Sequence, residues 1–168
     1  MVGPSMASKL ANLRNFIFRN VVVHLTRQYY VHVWGMNIGP GTHISRSAKL
    51  DLSNPKGVHI GEHSCVAFDA VVLTHDFING EHLPVHIGSF CLIGARAVIM
   101  PGVTVGDHSI VGTGSIVMRN VPPHSVVLGN PARVIEAGIN TGKWGARLRN
   151  AETPFQKAEP VVPVIGAA

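Results

Sequence analysis

Cut into sixes, residues 87–122 read IGSFCL, IGARAV, IMPGVT, VGDHSI, VGTGSI, VMRNVP. The first position is Ile or Val in every block, the second is Gly in four of the six, and the fifth is always small or β-branched. A period of six cannot keep one face of an α-helix, because 3.6 residues per turn carries the first position around the cylinder. It does fit a short strand followed by a corner. One branched apolar residue per face points inward, a small residue packs beside it, and glycine is expected at corners that need a positive φ. Three such faces close a triangular coil of about 18 residues, and coils stack at roughly 4.8 Å so that each buries the next. The reading is an all-β chain folded as a parallel β-helix of hexapeptide repeats.

The same template fits IGPGTH and ISRSAK from Ile38, and IGEHSC and VAFDAV from Ile60. The expectation is a prism of about five coils over residues 36–136. Its phase jumps twice, at residues 52–57 (LSNPKG) and at residues 74–86, just after Val72. A rigid prism must extrude loops there, and loops on rigid scaffolds commonly carry function. His75 stands at the second jump, beside Asp76.

Composition agrees with the repeat. Of the 168 residues, 46% are hydrophobic and only 14% charged, which argues against disorder; 18 Gly, 11 Pro and few aromatics suit short strands and tight turns. The formal net charge of +5 suits a polyanionic ligand: nucleic acid, an anionic membrane or a phosphorylated cofactor. Cys65 and Cys91 both sit inside repeats and read as small core hydrophobes, neither a disulfide framework nor a metal cluster. With no signal peptide evident at the start and no uncharged run long enough to span a membrane, a reducing cytoplasm is the expected compartment.

Residues 1–35 are expected to form an N-terminal helical cap on the open first coil, which a solenoid requires. A peripheral membrane face is the second reading, because Lys9, Arg14, Arg19 and Arg27 accompany Phe16, Ile17 and Phe18. Residues 137–168 lose the repeat and are expected to be an irregular C-terminal extension.

The run IGARAVIMPGVTVGDHSIVGTGSIVMRNVPPHSVVLGNPARVI (residues 93–135) strongly resembles the hexapeptide-repeat acetyltransferases, above all the maltose/galactoside acetyltransferase group. The segment KLDLSNPKGVHIGEHSCVAFDAVVLTHDF (residues 49–77) is similar to the colanic-acid-type polysaccharide O-acetyltransferases. The resemblance implies left-handed coiling, a homotrimer with active sites in clefts between prisms, acetyl-CoA as cosubstrate, no required metal, and a histidine base, matched here by His75. It further implies that Ala95 and Thr113 meet the pantetheine arm, and that Met118, Arg119 and Arg133 lie near the cofactor phosphates. One departure is Leu92, where the family often has Trp, and it bears on the shape of the acyl pocket.

Part of this follows from the residues themselves. A repeat of 18 should align Gly94, Gly112 and Asn130 on one edge, and Ala95, Thr113 and Pro131 on the next. Such columns of small residues leave backbone amides accessible to an extended ligand. Arg119 and Arg133 suit phosphates, which gives the positive charge a use without nucleic acid. Imidazole titrates near neutrality and can take a proton from an acceptor hydroxyl and return it to a thiolate. A carboxylate or carbonyl must hold its tautomer. Asp76 is the adjacent candidate, although neighbours on a strand point apart, and Asp69 or a backbone carbonyl could serve instead. An oxyanion needs a donor such as a backbone N–H near Gly94–Ala95. Asn54, Asn79 and Glu81, on the two loops, are placed to meet sugar hydroxyls.

The expected function is therefore O-acetylation of a sugar hydroxyl by direct transfer from acetyl-CoA, in cell-surface polysaccharide or lipopolysaccharide biosynthesis. The acceptor stays open, and N-acetylation of an amino-sugar nucleotide is the near alternative. A metalloenzyme of the γ-carbonic-anhydrase type is a competing class, because His59/His63 and His82/His86 form pairs around His75. A non-catalytic scaffold is the third, disfavoured because it leaves the groove, the arginines and the histidine loop idle.

Overall fold

A computed structural model describes residues 21–148. The expected helical residues 7–20, with their basic and aromatic side chains, and the tail beyond residue 148 lie outside the described residues. Thirteen short strands build the described prism, and the chain visits three sheets in strict rotation. Face A holds β1 (Asn37–Ile38), β4 (Val58–Ile60), β9 (Val85–Ile87) and β12 (Thr104–Val105). Face B holds β2 (His43–Ile44), β5 (Cys65–Val66), β10 (Leu92–Ile93), β13 (Ile110–Val111) and β15 (Ser125–Gly129). Face C holds β3 (Lys49–Leu50), β6 (Val71–Val72), β11 (Val98–Ile99) and β14 (Ile116–Val117). Within each face these strands pair in parallel, each with its counterpart one coil away. The result is four complete turns; Val121, bridged to Val105, and then β15 open a fifth. There the chain leaves the prism, because β16 (Ala132–Ala137) folds back antiparallel on β15.

The first position of each hexad fills the interior. Ile38, Ile60, Ile87 and Val105 stack under face A; Ile44, Val66, Ile93, Val111 and Val127 stack under face B; Leu50, Val72, Ile99 and Val117 stack under face C, all buried. Burying one such branched side chain contributes about 1.5–3 kcal/mol, so the rungs carry most of the apolar driving force. Fifth-position Cys91, Ala97, Val103, Ser109 and Ser115 are buried beside them.

The glycines play a different part from the one expected. Positive φ falls on the fourth position, at Phe90, Arg96, Gly102, His108 and Gly114, and not on the second-position glycines. Those glycines are required by close approach: a Cβ on Gly61 would lie 2.5 Å from Ser89 N, and one on Gly94 would lie 2.6 Å from Val111 O. Backbone cannot step aside as a flexible side chain can. Gly61→Ala is therefore expected to destabilise the fold by about 1–3 kcal/mol, read as a lowered denaturation midpoint with the cooperativity unchanged.

The first coil is covered, and the chain beyond β16 returns along the side of the prism. Helix α1 (Val23–Gln28), continued by a π-helical turn at Tyr29–Val33, lies against the first coil. Arg27 Nε donates to Ile38 O and Gly39 O at 2.9 Å each, satisfying carbonyls at the open end of face A. At the A/B corner, the rings of His63, Phe90, His108 and His124 form a continuous stack with centroids 5.0–5.4 Å apart. The chain after β16 runs back along this stack. His124 Nδ1 meets Ile139 O at 3.0 Å, His108 Nδ1 meets Thr141 O at 2.9 Å, and Trp144 N donates to His63 O at 2.6 Å. The described part of the C-terminal extension is irregular, yet tied down along the prism.

Candidate active site

Both expected loops emerge at one edge, the corner between faces C and A. Residues 51–57 leave after β3 and residues 73–84 leave after β6, directly above them. Inside the second loop β7 (His75–Asp76) and β8 (Glu81–His82) pair antiparallel, with His75 opposite His82 and Asp76 opposite Glu81. The hairpin is anchored below by Thr74, whose carbonyl accepts from Asn54 Nδ2 at 2.9 Å and whose Oγ1 donates to Asn54 O at 2.8 Å.

The group that holds His75 is Asp51, whose side chain is 4% exposed. Its Oδ2 lies 2.5 Å from His75 Nδ1 and also accepts from Thr74 N at 2.9 Å and His75 N at 3.2 Å. Its Oδ1 accepts from Ser53 N at 2.9 Å and Ser53 Oγ at 2.5 Å. Burial alone would raise the Asp51 carboxyl, but the donors from Ser53, Thr74 and His75 outweigh it and hold the group well below its ordinary 3.8. The folded value being the lower one, this pair's contribution to stability is complete above that ordinary value. It is lost as pH falls on toward the folded one. An ionised carboxylate can only accept, so Nδ1 must carry a proton, and in the neutral ring the lone pair is then on Nε2. Among the described residues Nε2 has no hydrogen-bond partner, and the His75 side chain is 24% exposed.

Asp76 and Asp69, the expected orienters, are elsewhere. The Asp76 carboxylate ties the hairpin tip and makes no hydrogen bond to the ring, accepting from Asn79 Nδ2 at 2.6 Å, Ile78 N at 2.9 Å and Asn79 N at 3.3 Å. The Asn79 amide, foremost among these donors, holds Asp76 below the usual carboxylate range. Asp69 sits at the B/C corner, 3.7 Å from Arg96 Nε. The sequence signal for Asp51 is its register. Leu50 pairs with Val72, so Asp51 leaves the same corner as the histidine loop.

The remaining expected residues divide. Asn54 spends its amide on Thr74 O and Asn79 spends its own on Asp76, so both are structural; Glu81 is exposed on the hairpin. Gly94 and Ala95 are buried at the B/C corner, whereas Thr113 beyond them is exposed. Asn130 and Pro131 do not continue these columns. Val111 pairs with Val127, two residues sooner than the 18-residue repeat requires. The C/A corner after β14 is shorter by that amount, and Asn120 Oδ1 closes it by accepting from Thr104 N at 2.8 Å. Leu128 therefore lies over Gly112, and Asn130–Pro131 forms the turn between β15 and β16. Met118 and Arg119 are exposed on the C/A corner two coils beyond His75, roughly 10 Å along the axis. Arg133 is exposed on β16, and among the described residues neither arginine is ion-paired with a carboxylate.

His75, Asp76, Phe77, Gly80, Glu81 and His82 line a depression of 260 Å³. A larger concavity of 590 Å³ runs over face A, but it contains neither His75 nor Asp51. The expected histidine pairs are split, since His59 stacks on His86 at 4.4 Å on face A while His63 belongs to the A/B ring stack. Among the described residues no group of three or more His, Cys, Asp or Glu is placed to hold a metal ion. Burial pushes the thiols of Cys65 and Cys91 up to about 11, so neither is poised as a nucleophile.

The parallel β-helix of hexapeptide repeats is a fold that known proteins share. Residues 84–119 match the family described as bacterial transferase hexapeptide (six repeats). The chain is 36% identical over 111 residues to the galactoside O-acetyltransferase of Escherichia coli K12, covering 61% of this chain and 55% of that enzyme. It spans 59% or less of the length of the first curated relatives it matches. Among solved structures, the maltose O-acetyltransferase of Clostridium difficile 630 aligns with a TM-score of 0.55 at 22% identity, over 77% of this chain and 84% of that one. A hexapeptide-repeat acetyltransferase of Vibrio cholerae, complexed with acetyl-CoA, aligns at 0.52 and 20% identity, over 82% and 92%. At those identities the structural likeness shows a shared fold. Residues 84–119 thus carry hexapeptide repeats, and the curated proteins similar to the chain include the galactoside O-acetyltransferase of Escherichia coli K12. No helix among the described residues is long and apolar enough to cross a membrane.

Proposed function

We propose that the chain is an acetyl-CoA-dependent O-acetyltransferase acting on a sugar hydroxyl, with His75 as general base and Asp51 as its positioning partner. The observation that carries the reading is the partly exposed His75 ring, its Nδ1 tied to a buried carboxylate 2.5 Å away and its Nε2 unengaged among the described residues. Acetyl-CoA supplies the activated acyl group as a thioester. Nε2 accepts the proton of the acceptor hydroxyl as its oxygen bonds the acetyl carbon. The imidazolium, neutralised by Asp51, then returns that proton to the departing thiolate.

The distribution of residues around the prism supports a homotrimer whose sites are shared. His75 is on the C/A corner, while Gly94, Ala95, Gly112 and Thr113 are on the B/C corner of the same chain. One subunit would offer the base and its neighbour the small-residue groove for the pantetheine arm. Arg119 and Arg133 would meet the cofactor phosphates, with left-handed coiling as in the family. The expected biological setting is cell-surface glycan synthesis from the cytoplasmic side, where free thiols persist.

Mixed oligomers test this. Thr113→Trp, which fills the groove, and His75→Ala should each give an inactive homo-oligomer, and oligomers refolded from both should regain transfer. Mixed oligomers of verified composition that stay inactive would contradict the shared site.

A further inference from the structure

The hairpin that carries His75 exposes two large apolar side chains at its tip, Phe77 at 89% and Ile78 at 94%. This is not a frayed loop: the Asp76 carboxylate pins the turn through Ile78 N, Asn79 N and Asn79 Nδ2, and the flanking strands are paired. Phe77 is also oriented toward the reacting nitrogen's ring, with centroids 5.6 Å apart and planes at 67°. It forms the one aromatic hydrocarbon wall of the 260 Å³ depression that His75 lines. The opposing contributions are polar, from Asp76, Glu81 and His82.

We infer that Phe77 is the acceptor platform, its ring packing against the apolar face of a neutral pyranose while Glu81 and His82 meet the sugar's hydroxyls; this rests on the acetyltransferase reading above. Three observations select that occupant. The depression is close to the lower end of small-molecule pockets, about 300 Å³, so it suits one ring and not an extended chain. One aromatic wall facing hydrogen-bonding groups matches a ligand with an apolar face and a polar rim. Two carboxylates side by side, Asp76 and Glu81, repel an anionic acceptor. A second copy of this chain seated on Phe77 and Ile78 is the rival occupant, and the test separates it.

The experiment compares wild type, Phe77→Ala and Phe77→Tyr for thiol release from acetyl-CoA. The acceptors are methyl β-galactoside, methyl β-glucoside, their glucuronide analogue and the open-chain polyol galactitol, and oligomeric mass is measured for each variant. Wild type should prefer the neutral rings over both glucuronide and galactitol. Phe77→Ala should raise KM for the neutral rings at least about fivefold while leaving KM for acetyl-CoA and the oligomeric mass unchanged, and Phe77→Tyr should restore it. An unchanged acceptor KM, equal losses on galactitol, preference for the glucuronide, or a change in oligomeric mass would overturn the inference while leaving the acetyltransferase reading intact. Absence of thiol release by wild type with every acceptor would instead overturn that reading, and the inference with it.

Discussion

His75→Ala should lower kcat by about 10²–10⁴-fold, the usual contribution of a positioned general base, with folding and acetyl-CoA binding retained. Folding should survive because the ring is partly solvated and contributes to no rung of the core. Retained binding should follow because the basic side chains and small-residue columns offered to the cofactor are on other coils or another corner. Steady-state kinetics with a circular dichroism melt and equilibrium binding of acetyl-CoA would check all three. Near-wild-type turnover would remove His75 from the mechanism.

Asp51→Asn should be almost as damaging, on the order of 10²-fold or more in kcat, because it attacks the tautomer. Every acceptor position of this carboxylate is committed: Oδ2 to Thr74 N, His75 N and His75 Nδ1, and Oδ1 to Ser53 N and Oγ. A carboxamide cannot satisfy that set. If its NH₂ replaces Oδ2, Nδ1 must become an acceptor, the imidazole proton moves to Nε2, and the base is lost. If its NH₂ replaces Oδ1, it faces the Ser53 N–H and the loop must shift. Either way the effect should appear in kcat, with the Nδ1–H proton resonance expected for His75 in the wild type lost or displaced. A variant with unchanged kcat would mean that something other than Asp51 holds the ring. Asp76→Asn, by contrast, alters only the hairpin turn and should act chiefly on acceptor KM.

The repeat made the prism legible because its period is a direct consequence of its geometry. Each Ile or Val at the first hexad position is buried, and each jump in phase marks a loop. His75 was legible for the same reason, since a break in so regular a pattern has to leave the scaffold. What the sequence hid is what depends on register across coils. Asp51 is 24 residues before His75 and reaches it only because two loops of unequal length leave the same corner one above the other. The column ending in Asn130 and Pro131 failed because a shortened corner at Asn120 advances the register, which a fixed spacing of 18 cannot anticipate. The glycines were correctly located but misread. Proximity of the next coil's backbone, which a single repeat does not display, makes them necessary at Gly61 and Gly94.

The central claim, that this prism transfers acetyl groups to sugar hydroxyls, is tested most directly by incubating the purified wild-type chain with acetyl-CoA and neutral methyl glycosides. Free thiol and O-acetyl ester would be quantified together. Acceptor-dependent thiol release is expected, with one equivalent of ester for each thiol. Thiol release that is independent of every sugar, or none at all, would contradict it.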